Sequence, residues 1–473
     1  MRDLAITFGD AWPTLFLAAA FGLLLSANLG HERLEQGSFK AFYCAAAAVS
    51  TGSSPYRVEP QRTCYHVVDT LTHLPSSAVE PAPLPGYALA PFMLLIRLPI
   101  ISAQLIFTWL SVAALAITAL LVARVTQLQG VAVLLALLPI GYLNIAYGEI
   151  PSLVVAVITA AGYLLTRRRW VAAALLAAAS MIEPHVGLAV CVALFVAFPR
   201  CRLPLLLAVI ALAALSVWTL GIEQNLLYFK RVLPAQAVAE LVANDQYSLS
   251  RVLSVLGAPD RWALAGGTLS YIAVLMFGCF AAIRAARALK RPELVAWLPA
   301  AAVLLGGTFV HDVQMIAALP AAFALAVRAI RLRTLACGSL AALTVVWSAS
   351  GGRLMLLFSL FAILVVAAIA RSDWATVRSR TVTVLVVGAG ALALLAVHPQ
   401  VFDHTGAAVI SAAMSQPDTL AALNWGAYLR SVPQLSIPRP DVVLLKMPTW
   451  AALISLLAVA VANGRPVGAH RTR

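Results

Sequence analysis

Apolar runs rich in Ala and Leu recur from Trp12 to Asn463, separated by short polar, Pro-containing or basic punctuation. A helix needs about 20 residues to cross about 30 Å of hydrocarbon. Lipid supplies no partner for exposed backbone amides, so runs of this kind are predicted to be helices. The pattern predicts spans near 12–29, 101–123, 130–144, 150–165, 170–182, 186–199, 203–221, 266–284, 294–309, 313–328, 334–350, 353–370, 380–397 and 449–463, about fourteen in all. The stretch 164–198 reads as two short helices meeting at Glu183-Pro184. Short and Pro-interrupted spans are expected around a cavity rather than against lipid. The first run reads as a retained span, because no convincing small-residue cleavage site follows it.

Composition agrees with that pattern. The chain is 62% hydrophobic and 11% charged, with a mean hydropathy of +0.91, which excludes an ordinary soluble domain. Twenty of the thirty-three Lys and Arg residues fall in short loops on one side, including Arg167–Arg169, Arg200 with Arg202, and Arg284–Arg291. Fifteen of the nineteen acids fall on the other side. Basic residues accumulate in short cytoplasmic loops, so both termini are expected in the cytoplasm of a bacterial inner (plasma) membrane. Arg168, Lys290 and Arg473 are then internal, and Lys40, Asp245 and Asp418 external. The net charge of +14 is accounted for by this bias and by anionic headgroups, with no nucleic-acid partner. The expected organisation is one transmembrane domain, 1–463, with outer segments 30–98, 221–265 and 398–448, and a cytoplasmic tail, 464–473.

Within the first outer segment, 39–49 is an Ala-rich stretch predicted as an interfacial helix, closed by the turn signal Gly52-Ser-Ser-Pro-Tyr56. The Pro-punctuated stretch 81–99 is expected as a second interfacial or re-entrant helix. Cys44 and Cys64 are the two cysteines in outer segments, and an oxidising compartment predicts a disulfide between them. Cys191, Cys279 and Cys337 fall within spans and Cys201 is cytoplasmic, so these read as packing residues. No CxxC or His/Cys set has metal-ligand spacing, so neither a metal nor a cofactor is expected.

Ionisable residues at the ends of apolar spans are costly, and by default line a cavity or perform chemistry. Three clusters fall at one depth on the expected outer side: Glu149, Glu183 with His185, and His311-Asp312. They point to a water-accessible cavity roofed by the outer segments, to which 244–248 adds amide, carboxylate and hydroxyl groups. A general base near an acceptor hydroxyl, with cations around a leaving phosphate, makes a glycosyl-transfer centre. His185, His311, Arg251 or Arg62 are candidates for that phosphate, and Asn244 and Gln246 for the donor. Taken singly, Arg251 reads more readily as a surface charge.

The stretch Ser38-Phe-Lys-Ala-Phe-Tyr-Cys-Ala-Ala-Ala-Ala-Val-Ser-Thr-Gly-Ser-Ser-Pro-Tyr56 resembles the first-loop motif of glycosyltransferase family 87, in which Asp-Phe precedes a Tyr-rich helix and a Gly-x-x-Pro-Tyr turn. Tyr147-Gly-Glu-Ile-Pro151 resembles the family's Gly-Gln segment, and Met181-Ile-Glu-Pro-His185 a later Lys-Pro segment. Asn244–Ser248 and Thr308–Gln314 are similar to polar segments of its later loop and span end, so the likeness covers roughly 10–330. It implies an all-α polytopic GT-C-type bundle with a large first outer loop carrying interfacial helices. It also implies transfer of a hexosyl or pentosyl group from a polyprenyl-phosphate-linked donor to a lipid or glycan acceptor at the outer face. The family's first-loop Asp serves as base; here Ser38 stands in its place. Glu149 and Glu183 likewise replace an amide and a lysine.

The expected catalytic acids are therefore Glu35, first by its proximity to Ser38, then Glu149, Glu183 and Asp312. His185, His311, Asn244, Gln246 and Arg251 are the expected donor and phosphate ligands, and membrane lipids the surroundings. From another class, a transporter or flippase of a lipid-linked or small polar substrate also fits a polar cavity, although inverted repeats, its usual mark, are not seen. A non-catalytic relative of the transferases fits the missing Asp.

Overall fold

A computed structural model describes residues 8–29, 36–68, 77–345, 347, 410–432 and 440–464. The expected spans 353–370 and 380–397, residues 465–473 of the tail, and Glu35 lie outside the described residues. The first half comprises α1 (Phe8–Ser26), α2 (Gly37–Ser50), α3 (Val58–Val68), α4 (Gly86–Leu89), α5 (Phe92–Leu95), α6 (Ile100–Thr126), α7 (Gly130–Tyr147), α8 (Pro151–Thr166), α9 (Trp170–Ala179) and α10 (Pro184–Ala197). There follow α11 (Pro199–Leu227), α12 (Leu233–Glu240), α13 (Leu249–Val255), α14 (Asp260–Leu289), α15 (Leu294–Ala302), α16 (Leu319–Arg328), α17 (Arg333–Leu343), α18 (Ala421–Ser431) and α19 (Pro440–Asn463). Among the described residues there is no strand beyond two isolated bridges, Arg57 with Leu420 and Gln246 with His311.

Local chemistry sets several of the boundaries. α8, α10 and α11 each begin on a proline, whose fixed φ and missing amide hydrogen suit the first helical position. α11 breaks at Gly221, where φ is 73°, so the apolar part ends where the sequence predicts its span to end. Five helical runs are long and apolar enough to cross a membrane by length and composition: Ile100–Thr126, Gly130–Tyr147, Pro199–Glu240, Asp260–Leu289 and Val443–Asn463. Other apolar helices, among them Pro151–Thr166 and Pro184–Ala197, have 10–17 residues. Length and composition thus identify five spans among the described residues, and the expected count of about fourteen is not confirmed. Two of the expected short spans meet at the 3-10 turn Ser180–Ile182 before Pro184, and another helix tightens into a 3-10 turn at Val303–Leu305.

α7 is buried along almost its whole length between α1, α6 and α8. By contrast α11 and α14 expose Leu203, Leu206, Ile210, Trp218, Leu269, Ile272 and Phe280. Apolar faces of that extent mark contact with a membrane. At one end of the bundle a second core joins α2, α4 and α5 to α6 through Phe39, Phe42, Phe92 and Phe107. The Phe39 and Phe107 rings are centred 4.8 Å apart. A disulfide between Cys44 and Cys64, with Cα atoms 5.6 Å apart, ties α2 to α3. In the chain-entropy description, closing a loop of that separation stabilises by about 3 kcal/mol.

Residues 410–432 clamp this cap. Val58 N donates to Thr419 O and Ala421 N to Tyr56 O, both at 2.8 Å. Asn424 accepts from Val79 N at 2.8 Å and donates to Ser77 O at 2.9 Å. The segment leading into Glu80 is therefore held by backbone and amide bonds rather than by apolar packing alone.

Candidate active site

The site is built where α2 meets the end of α7. Gly148 ends α7 in the left-handed region, φ 76°, and Glu149 N closes the turn on Asn144 O at 2.7 Å. A left-handed residue after the last helical turn is usually glycine, since a Cβ is disfavoured there. Here a second constraint applies: a Cβ on Gly148 would lie 2.7 Å from both Cβ and N of Phe39. Gln36, at the start of α2, completes the docking. Its backbone N donates to Ala146 O at 3.0 Å, and its side-chain amide reaches Thr108 Oγ1 at 2.9 Å and Ile145 O at 3.1 Å. The outcome is that Glu149 faces Ser38.

Ser38 Oγ lies 2.8 Å from Glu149 Oε1 and 2.7 Å from Glu80 Oε1. Glu80 approaches because residue 37 is glycine: a Cβ there would meet Glu80 Oε2 at 2.7 Å. Tyr65, next to disulfide-bonded Cys64, sits with its hydroxyl 3.0 Å from Gly37 O and 3.4 Å from the Glu80 carboxylate. Both carboxyl groups are half-buried. Burial pushes each up to about 7, although Ser38 and Tyr65 hold Glu80 down, as His311 and Ser38 do Glu149. Glu80 and Glu183 press Glu149 further upward.

Glu183, 9% exposed, occupies the break between α9 and α10 and accepts a hydrogen bond from Gln314. Gln314 in turn accepts from His311 N at 3.0 Å. Asp312, 5% exposed, starts the 3-10 turn Asp312–Ala318. That turn is pinned to α7 by Asn144 Nδ2 donating to Val313 O at 3.0 Å. His311 Nδ1 is 3.0 Å from Asp245 Oδ2, and its Nε2 is 3.8 Å from Glu240 Oε2. Burial disfavours a charged ring, but Asp245, Glu240 and Glu149 outweigh it and hold the imidazole pKa well above its ordinary value. Asp245 is correspondingly held below the carboxylate range: burial would raise it, and the His311 charge more than offsets this.

Gln246 lies between His311 and Glu240 and donates to Glu240 Oε2 at 3.0 Å; its amide nitrogen, 2.9 Å from His311 Nε2, can donate there only when that ring nitrogen carries no proton. Beside it is a small pocket, room for about one water, lined by Asn244, Gln246, Arg251, Lys446 and Trp450. Arg251 is buried and donates to Leu241 O and Asn244 Oδ1, both at 2.8 Å, so of its two sequence readings the surface charge is excluded. Lys446, 2% exposed, donates to Gln246 O at 2.5 Å.

Glu149, Glu183, His311, Asp312, Asn244, Gln246 and Arg251 are thus gathered at one end of the bundle. His185 stands apart, its ring packed on Tyr271 with centroids 4.8 Å apart and its Nε2 3.2 Å from Val303 O. Arg62 is engaged elsewhere, by Glu59 at 2.8 Å and Ser415 O at 3.0 Å. Glu80, Glu240 and Lys446 are the site residues that the sequence reading missed. Lys446 carried a signal, being a cation within an apolar run. Among the described residues, Glu240, Asp245 and His311 form a group whose ligand atoms lie within 4.8 Å of one another, a spacing that could hold a metal ion. An imidazolium between two carboxylates accounts for that spacing equally well.

No curated protein and no solved structure matches the chain. Residues 85–311 match the model of glycosyltransferase family 87. That segment contains Glu149, Glu183, Glu240, Asp245, Arg251 and His311, and Glu80 lies five residues before it. This segment, which supplies most of the assembled site, is similar to glycosyltransferase family 87, the family that the first-loop motif also resembles.

Proposed function

We propose that the chain is a GT-C-type membrane enzyme that moves a sugar from a polyprenyl-phosphate-linked donor to a lipid or glycan acceptor. The reaction takes place at the outer face of a bacterial inner membrane. The family supports glycosyl transfer in general. The observation that carries the finer reading is a half-buried carboxylate, Glu149, held in the field of the His311 cation at a loop-rich end of an apolar bundle. Transfer needs an acid to take up the acceptor hydroxyl's proton and a cationic surface for the departing phosphate. Glu149, Glu183 and Asp312 are the acids in reach, and His311, Arg251 and Lys446 the cations. The charge sorting of the loops supports an outer-facing site.

Right-side-out membrane vesicles given a labelled polyprenyl-phosphate sugar test this. The chain should move label to the acceptor fraction. Replacing Glu149, Glu183 and Asp312 one at a time by their amides should reveal one collapse of about 10²–10⁴-fold. No transfer above that of vesicles lacking the chain would contradict the reading.

A further inference from the structure

Ser38 carries one hydroxyl hydrogen, yet its Oγ lies 2.7 Å from Glu80 Oε1 and 2.8 Å from Glu149 Oε1. A hydroxyl donates once, and an ionised carboxylate can only accept. Both short contacts are satisfied together only when one carboxyl group keeps a proton and donates it to Ser38, which donates onward to the other. With both ionised, one contact would set lone pair against lone pair beside a second negative charge, an arrangement that drives one carboxyl to protonate. We propose, on the reading that the chain transfers sugar, that Glu80, Ser38 and Glu149 form a relay holding a single proton. The relay takes the place of the missing first-loop Asp, with Glu149 as the catalytic base and Glu80 and Ser38 as its positioning partners.

The surroundings set the direction of the relay. Glu149 faces His311 and Glu183 as well as Ser38 and Glu80, and lies within the family-matching segment. Tyr147, one turn end away, lies among Asp312, Asp245 and Glu149. Glu80 faces Tyr65, Lys40 and Glu240. With Oε1 of Glu149 taken by Ser38, its second oxygen is the one to receive a substrate proton. In the step, an acceptor oxygen lone pair forms the bond to the anomeric carbon of the sugar. Its proton passes to Glu149, and the bond from that carbon to the phosphate oxygen breaks, its electron pair leaving on the phosphate. Water takes the extra proton from the relay once product departs.

The two partners act on the base with opposite sign. Glu80 raises the affinity of Glu149 for a proton, whereas the Ser38 hydrogen bond lowers it. The rate, which needs ionised Glu149, should rise with pH through about 7. Glu80→Gln should therefore move that limb to lower pH, and Ser38→Ala should move it to higher pH, with Ser38→Thr restoring it. Glu149→Gln should lose about 10²–10⁴-fold at every pH. An arm that does not depend on transfer is infrared spectroscopy of the purified full chain in lipid near neutrality. One protonated-carboxyl band should be lost in Glu80→Gln and again in Glu149→Gln. The relay is overturned if that band is unchanged in both variants, if Glu149→Gln keeps full activity, or if the Glu80 and Ser38 variants shift the limb the same way. A wild-type chain that shows the band but transfers no sugar would instead overturn the functional reading while leaving the shared proton standing.

Discussion

Replacing Gly148 by alanine is expected to destabilise the chain by about 2–5 kcal/mol and to remove most of its activity. The left-handed backbone at φ 76° costs an L residue about 1–2 kcal/mol. A new Cβ would also fall 2.7 Å from the Phe39 backbone nitrogen and 3.0 Å from Gln36 Cβ. Overpacking of that kind adds about 1–3 kcal/mol. Relief requires α2 to move off the end of α7, which carries Ser38 away from Glu149. A thermal melt in detergent together with a transfer assay measures both effects. Activity lost with an unchanged melting temperature would show that the local geometry, not the docking of α2, is what glycine protects.

His311→Ala is expected to lower kcat by about 10²–10³-fold, the range for removing a preorganised group that stabilises developing charge. KM should change much less, because the cation acts on phosphate charge that grows as the glycosyl bond breaks. The pH profile carries a second signature. With its pKa held well above the ordinary value, His311 stays charged through neutrality and loses its cation only as pH rises past that raised value. The wild-type profile should therefore be bell-shaped, with an acid limb near 7 from Glu149 and an alkaline limb from His311. His311→Ala should abolish the alkaline limb and move the acid one to higher pH, because the His311 charge holds Glu149 down. Initial rates across pH with saturating donor test this, and an unchanged alkaline limb would remove His311 from the chemistry.

The helices and three of the acids were legible in the sequence for a physical reason. Apolar runs of span length have few alternatives to helix, and charges at their ends carry a visible cost, so Glu149, Glu183 and His311-Asp312 stood out. Glu80 did not. It lies in Val79-Glu80-Pro81, an extended stretch with no periodicity, and its place depends on Asn424, 344 residues away in sequence, holding its neighbours. Glu240 was hidden in a polar segment where an acid is unremarkable. Arg251 was ambiguous because its burial comes from long-range contacts that local pattern does not encode. The reading of Ser38 as a loss, made from the missing Asp alone, changes once two carboxylates are seen on its hydroxyl. Five of the described helices are long and apolar enough to span, and several other expected spans coincide with shorter helices such as Pro151–Thr166 and Pro184–Ala197, so the count of about fourteen is not confirmed.

The most direct measurement follows one sugar in a purified system. The chain is reconstituted in liposomes with a doubly labelled polyprenyl-phosphate sugar and an acceptor pool, and lipid phosphate release and glycosylated product are counted together. Glycosyl transfer requires free polyprenyl phosphate and product to appear in equal amounts, and both to disappear in Glu149→Gln. Donor that crosses the bilayer with its sugar still attached, at equal rates in wild type and Glu149→Gln, would contradict the account and identify a transporter instead.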